Sequence, residues 1–203
     1  LSGNSVGFNG AAVLQANPAS FVLTGNQAGL IHSANLAAET GVFTLTGNDA
    51  ALNKGRTITA ETGLFTLTGN SAELNRGRTM TAETGVFTLT GQDVLFPTTR
   101  SITAGTGVFV LTGNSVSFNN QAILSGGSGA FTLTGNNVGL FVSRTISADV
   151  GVFVLNGQSA NLNFGQSMQA ETGAFILTGN DISFLRGRVM PAGAGVFTLA
   201  GQA

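Results

Sequence analysis

Cysteine, tryptophan and tyrosine are absent from this 203-residue chain, proline occurs three times, and charged side chains make up only 8% of it. Without thiols there is no disulfide or thiolate chemistry, and the redox compartment is left unread. An average domain carries roughly 25% charged residues. Solubility must therefore rest on Thr, Ser, Asn, Gln and Gly and on exposed backbone. A net charge of −1 argues against nucleic acid as a partner, because phosphate binding needs clustered Lys and Arg. No run reaches the roughly 18 apolar residues of a membrane helix, and no basic-then-apolar leader is visible. The first residue is Leu1 and not Met, as expected of a processed product or of part of something longer.

What the chain has instead is a repeat. The tract GVFTLTGN, Gly41 to Asn48, returns in related form every 22 residues without an insertion or deletion. Phe holds one phase at Phe21, Phe43, Phe65, Phe87, Phe109, Phe131, Phe153, Phe175 and Phe197. Leu holds the phase two residues on, including Leu45, Leu67 and Leu89. Gly follows two residues later, and the next position is always Asn or Gln, from Asn4 to Gln202. Spacing this strict means that each residue is locked to its counterpart in the neighbouring unit. Residues 1–203 thus read as one array of nine 22-residue units plus a partial unit.

Apolar and polar positions alternate with a period of two, the strand period and not the helical one. Phe43 and Leu45 share a face, with Thr44 and Thr46 opposite. Asp49 to Asn53 turns Ala50 and Leu52 inward, and Arg56 to Glu61 does the same with Ile58 and Ala60. Thr46-Gly47-Asn48, Asn53-Lys54-Gly55 and Glu61-Thr62-Gly63 read as tight corners. Substitutions obey the split. The Leu52 phase takes only Leu and Phe, whereas the Ala51 phase includes Gly7, Glu73, Leu95, Ser117 and Asn161. One unit cannot bury its apolar face alone, but stacked units can.

Three strands per unit predict an all-β, single-stranded β-solenoid with 22-residue coils and three short strands per coil. Equivalent residues would then stack about 4.8 Å apart in parallel pairs. Phe and Leu form core ladders, and the Asn or Gln after the glycine forms an amide ladder. The glycines serve through positive φ or close packing. The alternative is an antiparallel sheet or sandwich of hairpins; a membrane barrel ranks last, since barrels carry Trp and Tyr girdles. No polar cap marks either end, so further pairing or more repeats are expected.

GVFTLTGN, continued by DAALNKGRTITAETG, resembles repeat proteins of phage and prophage genomes built from GxFxLTG[NQ]xAxL units. The likeness covers the whole chain. It departs at Leu155-Asn156-Gly157 and Leu199-Ala200-Gly201, where the Thr is lost, and at Asn17-Pro18-Ala19, which replaces the Glu-Thr-Gly corner. The resemblance implies a tail-fibre or surface-fibre component and carries over no catalytic residue.

Candidate chemistry is sparse. His32, the single histidine, sits in a corner phase shared with Lys54, Arg76 and Arg186, and reads as solvated. Glu39, Glu61, Glu83 and Glu171 share a phase that could line up carboxylates for Ca²⁺ or a glycosidase, but Gly105 and Gly127 break it. Arg56, Arg78, Arg100, Arg144 and Arg188 form a basic phase. No phosphate-loop motif occurs. The surface-binding candidate is the Thr-x-Thr array, Thr44 with Thr46, Thr66 with Thr68, and Thr88 with Thr90. A hydroxyl lattice of this kind suits ice or glycan, although Val110, Val154, Asn156 and Ile176 interrupt it. The expectation is a non-enzymatic structural fibre or filament module, extracellular or on a virion surface, with no cofactor and no metal. Its partners are other copies of itself and a cell-surface glycan or receptor.

Overall fold

The structure, a computed structural model, describes residues 2–10, 13–16, 19–31, 35–53, 57–75, 79–98, 101–119, 123–141, 145–163, 167–185 and 193–201. The described elements are strands throughout. In chain order the first are β1 (Ser2–Asn9), β2 (Val13–Ala16), β3 (Ser20–Ile31) and β4 (Asn35–Ala38). The repeating pattern is clearest in β5 (Val42–Thr46), β6 (Asp49–Asn53) and β7 (Thr57–Ala60). Beyond them the same triplet recurs in steps of 22.

Every pairing is parallel and joins residues 22 apart. Phe43 faces Phe65 and Leu45 faces Leu67, Leu52 faces Leu74, and Ile58 faces Met80. The chain is therefore a β-solenoid. Seven complete three-strand coils run from Ser20 to Ala170, with partial coils on either side. The antiparallel hairpin alternative does not form: Gly63 leads Leu64–Thr68 onto the previous coil's β5, in the same direction.

The inward alternation holds in all three strands. Phe43, Leu45, Ala50, Leu52, Ile58 and Ala60 are each buried, and so are their counterparts through the middle of the array. Stacking puts like on like, so the phenylalanines form a column from Phe21 to Phe197 with ring centroids 4.6 to 5.6 Å apart. Phe96 and Phe118 add a shorter stack at 4.4 Å in the Leu52 phase. From Phe43 to Phe197 the ring planes lie within 27° of parallel, and Phe21 is tilted by 31° on Phe43.

The first corner differs from its expected form. Strands one and two of each coil belong to a single 17-stranded sheet, and only the third strand forms a sheet of its own, with eight strands. In β3 the segment Thr24-Gly25-Asn26 is continuous strand. Axial hydrogen bonding runs through the bend in later coils. Gly47 N–H donates to the Thr68 carbonyl at 3.0 Å, and Ser71 N–H donates to the Asn48 carbonyl at 2.9 Å. Thr-Gly-Asn is thus a bend that resets the inward phase between Leu45 and Ala50 without ending the sheet.

Close approach, and not unusual backbone angles, explains the invariant glycines. Among the described residues a positive φ is found only at Gly10. A Cβ on Gly47 would lie 2.4 Å from the Gly25 carbonyl oxygen, and one on Gly63 would lie 2.3 Å from that of Gly41. Successive coils meet backbone to backbone at these points, leaving no room for a side chain.

Candidate functional site

The Thr-x-Thr residues lie on the outward face of the first strand of each coil. Thr44, Thr66 and Thr88 are adjacent in one row, and Thr46, Thr68 and Thr90 in the next. The first row continues as Val110, Thr132, Val154 and Ile176, and the second as Thr112, Thr134, Asn156 and Thr178. A third row beside them is apolar, with Leu64 37% and Val196 56% exposed. From Ser20 to Ala200 no outward position of this strand is charged. The second strand differs, placing Asp49, Glu73, Asp93 and Asp181 outward.

Along the bend the outer surface is concave. Thr46-Gly47-Asn48 and the equivalent triplets through Asn114 line one stretch of a trough, and those from Thr112 to Gly201 line the next, with a volume of about 600 Å³. The stretches share Thr112, Gly113 and Asn114 and so form one channel parallel to the solenoid axis. Among the described residues none that lines it is charged.

The expected amide ladder is not found there. Asn48, Asn70, Gln92, Asn114, Asn136 and Gln158 are all exposed. None of their amides makes a hydrogen bond among the described residues. An amide pair forms instead at the end of the second strand, where Asn75 Nδ2 donates to Asn53 Oδ1 at 3.1 Å and to Glu73 Oε2 at 2.9 Å. At the bend the side chains lean out into solvent; at Asn53 and Asn75 they are half-buried and held between rows.

The Glu-Thr-Gly corner has a different chemistry from the one its carboxylates suggested. The Thr62 hydroxyl donates to the Glu39 carbonyl at 2.8 Å, and the Thr62 amide donates to the same oxygen at 2.9 Å. Thr84 and Thr106 repeat this on Glu61 and Glu83. At Thr62, Thr84, Thr106 and Thr172 the threonine therefore ties its corner to the one before it, and the acidic phase contributes its carbonyl to that tie. Glu61, Glu83 and Glu171 are exposed, and no three His, Cys, Asp or Glu side chains converge among the described residues. The sequence signal was the recurrent Thr or Ser at this position, interrupted by Pro18, Val150 and Ala194. His32, Lys54, Arg76, Arg186 and the Arg56 phase lie outside the described residues, as does the Asn53-Lys54-Gly55 corner beyond Asn53.

Comparison with family models, curated proteins and solved structures returned no match. The class is therefore set by geometry: a tandem-repeat β-solenoid of 22-residue coils.

Proposed function

We propose that this chain is a non-catalytic rod module of an extracellular or virion-borne fibre, the role that its resemblance to phage repeat units implies. The supporting observation is the unbroken register through seven complete coils, with the same buried rows repeated from Phe43 to Ala148 and axial hydrogen bonds between successive coils. A structure of this kind gains length in proportion to coil number, because each coil contacts only its neighbours. Small-angle scattering on arrays of one, two and three tandem copies tests the reading. The maximum dimension should grow linearly, by about 4.8 Å per added coil. Growth with the weak power of chain length typical of compact domains would reject it.

A second reading, ice binding, draws on the two in-register threonine rows between Thr44 and Thr90. It predicts measurable thermal hysteresis that is lost in Thr66→Lys. A wild-type chain without hysteresis rules it out.

A further inference from the structure

Three features recur at the bend: Thr, Gly, and then Asn or Gln. The glycine is explained by the carbonyl against which a Cβ would press. The constancy of the carboxamide has no such explanation. In every repeat, from Asn4 to Gln202, this position is Asn or Gln and never Asp, Glu, Ser or Lys. Yet from Asn48 to Gln158 the side chain is exposed and makes no hydrogen bond among the described residues. Outward positions nearby do vary even where they are half-buried: the Ala51 phase accepts Gly, Glu, Leu, Ser and Asn. Asn and Gln differ in reach and share one property, a neutral group that both donates and accepts hydrogen bonds.

We propose that the Thr-Gly-Asn/Gln trough is a binding channel for a neutral, linear, hydroxyl-rich polymer, namely an uncharged glycan, lying along the solenoid axis. The choice of ligand follows from what the channel offers. An extended peptide would need free backbone donors and acceptors, but Gly47 N–H and the Asn48 carbonyl are already engaged with the following coil. A polyanion would need cations, and none lines the channel among the described residues. Carboxamides and threonine hydroxyls, repeated about every 4.8 Å, suit sugar hydroxyls, which also donate and accept. With no Trp or Tyr in the chain there is no stacking platform. Each coil therefore contributes weakly, and affinity accumulates with the number of coils engaged.

The inference is independent of the rod reading, and affinity electrophoresis of the full chain tests it, in native gels containing dextran, hydroxyethyl cellulose or hyaluronate. Retardation by at least one of the two neutral polymers, and none by hyaluronate, is expected. The triple variant Asn114→Ala, Asn136→Ala, Gln158→Ala should weaken that retardation roughly tenfold, the loss expected for about three modest hydrogen bonds. Its melting temperature should match wild type, and Thr79→Ala with Thr81→Ala, on the other sheet, should bind as wild type does. Free migration of wild type in both neutral gels overturns the proposal, as does retardation by hyaluronate or a triple variant that still binds. A fall in the triple variant's melting temperature overturns it too, since the amides would then be structural. Scattering on the same samples reads the rod dimension separately.

Discussion

Truncating one ring in the middle of the phenylalanine column should cost far more than truncating the ring at its end. Phe109 is fully buried. It stacks on Phe87 at 4.8 Å with planes 7° apart, and on Phe131 at 4.9 Å with planes 5° apart. Replacing a buried Phe by Ala costs about 3 to 5 kcal/mol, depending on how far the site collapses. Collapse is restricted here because the rings above and below are fixed by their own neighbours and by the backbone register, so Phe109→Ala belongs near the upper end. Phe197 is only partly buried and meets a single ring, Phe175, at 5.1 Å. Burying a Phe fully is worth about 1.5 to 3 kcal/mol, so half-burial puts Phe197→Ala at about 0.8 to 1.5 kcal/mol. Urea titrations followed by far-ultraviolet circular dichroism give the two values. Native-state hydrogen exchange, compared between central and terminal coils, guards against loss of two-state behaviour in a repeat array. Equal costs at the two positions, or less than about 1 kcal/mol at Phe109, would refute the argument.

Other substitutions separate the roles of residues that look alike in sequence. Gly69→Ala drives a Cβ to 2.5 Å from the Gly47 carbonyl oxygen and should cost about 1 to 3 kcal/mol. Gly29→Ala, whose Cβ would find its nearest neighbour at 3.7 Å, should stay within about 0.5 kcal/mol of wild type; thermal melts of the pair decide. Gly126 interrupts an inward row of alanines, lying between Ala104 and Ala148. A Cβ there would sit 3.3 Å from a carbon of the Phe153 ring. Gly126→Ala should raise stability by about 0.4 to 1 kcal/mol, and a lower melting temperature would show that the ring cannot shift. Asn163 Oδ1 is buried without a hydrogen-bond partner among the described residues. Asn163→Leu should therefore be neutral or stabilising, whereas Asn75→Leu, which severs the bonds to Asn53 and Glu73, should lose about 0.5 to 1.5 kcal/mol. Thr84→Val removes the hydroxyl tie to the Glu61 carbonyl and should cost up to about 1 kcal/mol in urea titrations.

The coil and its core were readable from residues alone because they depend on two periods, 22 along the chain and two within each strand. Phe43 stacks on Phe65 because both periods agree, and the same logic places Ile58 on Met80. Features that depend on backbone geometry were harder to read. Thr46-Gly47-Asn48 has the composition of a corner, but the axial bonds from Gly47 and Ser71 carry the sheet through it as a bend. An amide after a glycine suggested a ladder, yet side-chain direction at the bend sends Asn48 outward, while Asn53 and Asn75 pair across coils. Positive φ and close packing were equally open for the glycines. Distances to neighbouring carbonyls chose the second. The corner threonine Thr62 was hidden behind the more conspicuous Glu61, because carboxylates suggest chemistry and a hydroxyl bonded to a carbonyl does not.

Pulsed electron–electron distance measurement between paired spin labels tests the stacking of coils most directly, and a chain without cysteine can be labelled cleanly. Thr66→Cys paired with Val154→Cys spans four coils, and Thr66→Cys paired with Thr198→Cys spans six, all on the outward face. The separations should be about 19 and 29 Å, a constant step of about 4.8 Å per coil. Separations that fail to increase with the number of intervening coils would contradict the solenoid.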